Sequence, residues 1–113
     1  MSLLRIFKRH DTTPARARIL DAAGIPEDLT LASGTYTLSN VDTGVLKVNR
    51  GVITVRDQTL YPGEVYYPYQ SADVNTAGIY VEEWEILYAD GTKQTFPAGE
   101  VITVRIEADA DNT

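Results

Sequence analysis

The chain has 113 residues, 43% of them apolar and 23% charged, with a net charge of −6 and no cysteine. That length fits one domain around a single core. The missing cysteines exclude a disulfide framework, a thiolate metal site and a cysteine nucleophile, and the acidic balance argues against general nucleic-acid binding, where a basic surface supplies most of the affinity.

No apolar run approaches the roughly 20 residues of a membrane-spanning helix, and Ser2–Phe7 is too short for the core of a signal peptide. The simplest expectation is a product made in the cytoplasm. Charge is unevenly placed: residues 1–20 hold Arg5, Lys8, Arg9, Arg16 and Arg18 against Asp11, whereas residues 73–113 hold nine acids against Lys93 and Arg105. Solvated strand faces account for this, or a charge-complementary surface for stacking or docking.

In chain order, Leu3–Lys8 alternates weakly and reads as a first strand, or as an arm that adds to a neighbour's sheet edge. His10–Pro14 is a polar break. Ala15–Leu20 sets Ala15, Ala17 and Ile19 against Arg16 and Arg18, and Asp21–Pro26 turns. Thr35–Ser39 alternates again, Asp42–Gly44 turns into Val45–Val48, and Gly51–Arg56 sets Val52 and Thr54 against Ile53 and Val55. Tyr61-Pro62-Gly63 is a turn, since proline presets φ and glycine accepts a positive one. Glu64–Tyr69 is a strand with Val65, Tyr67 and Tyr69 on one face and Tyr66 and Pro68 on the other, and Val101–Ile106 closes the domain.

The stretch from Asp73 to Pro97 is the most informative. Thr76-x-Gly78-x-Tyr80 has the spacing of a tyrosine corner, in which a tyrosine opening a strand bonds back to the backbone just upstream. The strand that follows buries alternate residues, and Asp90-Gly91 predicts a type I′ hairpin with positive φ at both positions. No helical period survives over eleven residues; the one helical turn expected is Ser71–Asn75, capped by Ser71 or Asp73. Strands at this spacing with Gly, Pro and Asp turns predict an all-β sandwich. Its parts are an N-terminal strand or arm over 1–14, the domain over 15–107 and an acidic tail over 108–113 that frays.

Candidate chemistry is sparse. A glycosidase needs two carboxylates flanking a sugar bond, and of Glu82, Glu83 and Glu85 the last two share one strand face, read as solvated. His10 is the single histidine and cannot build a zinc site alone. Asp109, Asp111 and Asn112 have calcium-loop spacing without its glycine or closing glutamate. No catalytic residue, metal ligand or cofactor site is assigned. Tyr61, Tyr66, Tyr67 and Tyr69 exceed what one core face needs, so some are expected at the surface, for a protein interface or for stacking on sugars.

The corner Asp73–Tyr80, Glu83-Trp84-Glu85-Ile86, the turn Ala89–Thr92 and Thr95-Phe96-Pro97 resemble the immunoglobulin-like domain of tailed-phage baseplate and tail proteins, the kind at the N-terminus of baseplate upper proteins. Residues 17–24, Pro26, Asp28–Thr30 and Gly63–Tyr67 extend the resemblance over roughly 15–106. It implies an immunoglobulin-like antiparallel β-sandwich. It also implies a non-enzymatic structural role in the tail, baseplate or neck of a phage or prophage particle, with other particle proteins and further copies of the chain as partners, and neither nucleic acid nor membrane. The alternative is a sugar-binding module on a particle or cell surface. The chain departs from the family at Glu82, where a small residue is usual. A buried unpaired carboxylate would be costly, so Glu82 is expected at the sandwich rim, turned out by a bulge, or at a subunit contact. No domain is expected after Ile106, which favours action by assembly or as an adaptor. The expected interface residues are Arg5, Phe7, Tyr66 and Glu82.

Overall fold

The computed structural model describes residues 3–8, 12–97 and 102–108, without the side chains of 3–5 and 8. The strands are β1 (Leu3–Lys8), β2 (Ala15–Arg18), β3 (Ser33–Asn40), β4 (Leu46–Val52), β5 (Thr54–Val55), β6 (Glu64–Tyr67), β7 (Gly78–Leu87), β8 (Lys93–Phe96) and β9 (Ile102–Glu107), with a 3₁₀ turn at Ser71–Val74. One sheet has the order β1-β9-β7-β3-β4, with β8 continuing the β9 side of β7, and the other has the order β2-β6-β5. This is the immunoglobulin-like arrangement, in which strands B, E and D face strands G, F, C and C′. The expected sandwich is therefore present, but its larger sheet is mixed: β1 runs parallel to β9, from Leu3 opposite Ile102 to Lys8 opposite Glu107. Leu3–Lys8, read as a strand or an arm, pairs here with the chain's own β9.

Period-two burial explains why these segments pair as they do. Along β7 Tyr80, Glu82, Trp84 and Ile86 face in, and along β9 Ile102, Val104 and Ile106 do so. Ala15 on β2 and Ile19 just after it, with Val65 on the central strand β6 and Tyr69 just past its end, close the core from the other side. At roughly 25 cal/mol per Å² of apolar surface, this interdigitated face is the main stabilising term.

Three local features differ from the expected ones. Gly51–Arg56 is not one strand: Val52 ends β4 in the large sheet, Ile53 donates its N–H to the Gly34 carbonyl at 3.2 Å, and Thr54–Val55 joins the small sheet. Just before that switch, Asn49 and Arg50 together oppose Thr37, a β-bulge with Arg50 at φ +56° and its N–H on the Thr37 hydroxyl at 3.3 Å. The hairpin after β7 is not type I′ either. Only Gly91 has positive φ (+91°), its N–H donates to the Tyr88 carbonyl, and Tyr88 N–H donates to the Thr92 carbonyl, which makes a three-residue loop. Asp90 selects it, because its Oδ1 accepts from both the N–H and the hydroxyl of Thr92.

The other turns follow their local chemistry. Gly63 at φ +78° completes the Pro62 turn, and a Cβ there would sit 2.7 Å from the Ile19 carbonyl oxygen. The 3₁₀ turn forms where expected, fixed by Asp73, whose carboxylate accepts from the Gln70 N–H at 2.8 Å and the Tyr67 hydroxyl at 3.3 Å. The tyrosine corner closes as its spacing predicts, Tyr80 donating its hydroxyl to the Thr76 carbonyl at 2.8 Å.

Candidate interaction surfaces

The residues picked from sequence divide between core and surface. Glu82 is 3% exposed, so it stands neither at the rim nor turned outward, and it is not a surface contact. Its carboxylate accepts from the Trp84 indole N–H at 2.6 Å and from the Tyr36 hydroxyl at 3.2 Å, while Tyr36 and Tyr69 share a hydroxyl bond of 2.6 Å. Buried polar groups are tolerated when bonded in this way. Burial first, and then the Glu82 charge, pushes the Tyr36 phenol well above its ordinary value. The Tyr36 ring packs edge-on to Trp84 at 4.6 Å and stacks on Tyr67 at 5.0 Å.

Phe7 joins the same aromatic cluster, edge-on to Tyr69 at 5.5 Å and packed against the core. Phe7 and Glu82 are thus brought into one interior network, whereas the half-buried Tyr66 presents its side chain to the outside of a sheet. Arg5 pairs its backbone with Val104 in β1, and its side chain, like His10, Val101, Asp109, Asp111 and Asn112, lies outside the described residues. Glu83 is exposed and Glu85 pairs with Arg50 at 3.1 Å, as a solvated strand face requires.

Two surface regions stand out among the described residues. The first is one end of the sandwich, where three loops meet: 19–32, 56–63 and 88–92. Ile19 N–H donates to the Gly63 carbonyl at 2.8 Å, Gln58 Oε1 accepts from the N–H groups of Leu29 and Gly63, and Tyr88 donates its hydroxyl to the Glu27 carboxylate. Desolvation, with Glu27 next, raises the Tyr88 phenol far above its ordinary value. Asp21, Asp28, Asp57 and Asp90 each cap backbone N–H groups of their own loop through Oδ1. Apolar side chains stand exposed on these pinned loops, Leu31 at 86%, Leu60 at 69% and Ile25 at 59%. Leu31 is held at φ +63°, a conformation costly for a side chain with a Cβ.

The second region is the outer face of the small sheet. Tyr66 lies between Arg16 on β2 and Thr54 on β5. One row nearer the loop end, Glu64 takes Arg56 at 3.1 Å and Arg18 at 3.5 Å. The Arg56 guanidinium also lies 3.5 Å over the Tyr61 ring. Arg18 and Arg56 therefore meet at Glu64, with Arg16 one row along on the same face, in a chain that is acidic overall. Pro14, Arg16, Arg56 and Tyr66 line a hollow of about 290 Å³.

Sequence reading found Tyr66 but not its arginine neighbours, because Arg56 arrives only through the sheet switch at Ile53. Nor did it find Leu31: nothing local marks a leucine for positive φ. No protein-family model matches the chain, and no curated protein matches it.

Proposed function

We propose that this chain is a non-enzymatic assembly module of a phage or prophage particle, placed in the tail, baseplate or neck and acting through protein–protein contacts with other particle proteins. The observation that carries the reading is the rigid, apolar and acidic loop end: three loops cross-bonded to one another hold leucines and isoleucine out of the core. Exposed apolar groups on a fixed frame suit docking, since little conformational entropy remains to be lost on binding. The resemblance to tail-protein immunoglobulin-like domains supplies the setting. Its residues have structural work that fits such a domain, Tyr80 closing the corner and Trp84 filling the core.

The described tyrosines give the sugar-binding alternative less support. Tyr36, Tyr67, Tyr69 and Tyr80 turn into the sandwich, Tyr61 stacks under Arg56 and Tyr88 bonds Glu27. Among the described residues no two exposed tyrosines form a coplanar platform.

Density-gradient fractionation of particles from the producing strain, probed with antiserum to the chain, tests the reading. Co-sedimentation with tailed particles is expected; recovery of the chain only in the particle-free fraction contradicts it.

A further inference from the structure

The loop end carries exposed apolar side chains among acids, and the small-sheet face carries a hollow beside arginines. Leu31 projects furthest of the described apolar side chains, 86% exposed, and spends backbone strain on that position. Strain held at an exposed point is evidence of a role for the side chain it presents. Asp28 stands three residues before Leu31, and Asp57 and Leu31 line one shared hollow. Both carboxylates cap through Oδ1, which leaves Oδ2 to a partner. The Thr30 hydroxyl, then its N–H, holds Asp28 below its ordinary value, so it stays charged well into acid. Counting the three loops together, Asp21, Glu27, Asp28, Asp57 and Asp90 face the single cation Arg56.

The hollow on the small-sheet face has the opposite character. Tyr66 and Pro14 supply apolar walls, and among the described residues Arg16 and Arg56 are the charged groups of its lining, Arg56 being shared with Glu64 at 3.1 Å. We propose that Leu31 of one copy seats in the Pro14–Arg16–Arg56–Tyr66 hollow of a second copy, with Asp28 and Asp57 meeting Arg16 and Arg56. The inference rests on the assembly reading and adds the partner: this chain itself. Knob and hollow are built from different residues apart from Arg56, which borders both, so Leu31 of one copy in the hollow of the next is a heterologous contact, and each copy keeps one free knob and one free hollow. Such contacts close into rings or continue as stacks. A specific contact buries about 800 Å² per partner, so Ile25 and Leu60 on the same loops would be covered with Leu31.

The test is the solution mass of the full chain by light scattering over a concentration series, with Leu31→Gly and Arg16→Glu beside the unmodified protein. Leu31→Gly removes the knob and relieves the positive φ, so its melting temperature does not fall; Arg16→Glu alters an exposed side chain. The unmodified chain is expected to gain mass with concentration and to lose that gain in about 1 M salt, where the screening length is about 3 Å. Each variant alone is expected to need at least tenfold more protein for the same mass.

Mixed in equal amounts the variants should form a two-chain complex and stop, because Arg16→Glu keeps the knob and Leu31→Gly keeps the hollow. An association that neither variant weakens, or variants that fail to pair, overturns this contact and leaves the assembly reading standing. A one-chain mass at every concentration also overturns it, and directs assembly to other particle proteins, which the fractionation experiment tests separately.

Discussion

Glu82 faces the core of an acidic protein, and the Trp84 indole and Tyr36 hydroxyl are among the groups that hold its carboxylate there. Trp84 sits two residues further along the same strand, so period-two geometry alone places its indole N–H on the carboxylate. Tyr36 reaches from β3 across the sheet. Glu82→Ala would leave both donors buried without this acceptor, at about 1–3 kcal/mol each. We expect a loss of roughly 3 kcal/mol in denaturant unfolding, largely restored by Glu82→Gln, which keeps an acceptor oxygen. Equal losses for the two variants would mean that the charge, not the acceptor, matters. Leu31 is the opposite case. A left-handed residue with a Cβ costs about 1–2 kcal/mol, and the extra chain entropy of glycine returns about 0.5–1 of that. Leu31→Gly should therefore stabilise the fold by about 0.5–1 kcal/mol in the same measurement, while a loss would show that Leu31 packs against its own domain.

Among the elements, the F-like strand β7 is where sequence and structure agree best, because each of its signals is local. The corner spacing, the alternation and the Asp-Gly turn can be read within a few residues. Tyr80→Phe deletes one hydrogen bond from an otherwise unchanged ring, and about 1 kcal/mol of stability should go with it; no change would mean that the corner is set by packing alone. Gly63→Ala should cost more, above about 2 kcal/mol, since it combines left-handed strain with a Cβ driven against the Ile19 carbonyl. Where the sequence misled, a long-range contact decided. Gly51–Arg56 alternates like one strand, yet the bulge at Asn49–Arg50 and the bond from Ile53 to Gly34 split it between sheets. Asp90-Gly91 is a type I′ signal until the Asp90 side chain bonds Thr92. Glu82 looked too costly to bury because its Tyr36 donor lies 46 residues away.

For the whole molecule, tyrosine sets the alkaline limit. Tyr36, Tyr67 and Tyr88 are all raised above the ordinary 10.0, burial being the largest cause in each. A phenol whose folded pKa lies above its unfolded one contributes stability that is complete below the unfolded value and is lost as pH rises towards the folded value. Stability should hold up to about pH 9 on this count and fall from about pH 10 upward. Phenolate absorbance of these three should then appear together with loss of β-sheet circular dichroism. Smooth ionisation of all seven tyrosines with the sheet signal intact would contradict that.

The proposed assembly role falls to the outside, to a loop end that is apolar and acidic and a sheet face that is aromatic and basic. Carboxyl-to-amine cross-linking of intact particles, read by mass spectrometry, measures directly whether those surfaces make contacts. Cross-links from the carboxylates of loops 19–32, 56–63 or 88–92 to another particle protein or to a second copy are expected. A chain recovered from particles with links only within itself would contradict a role in assembly.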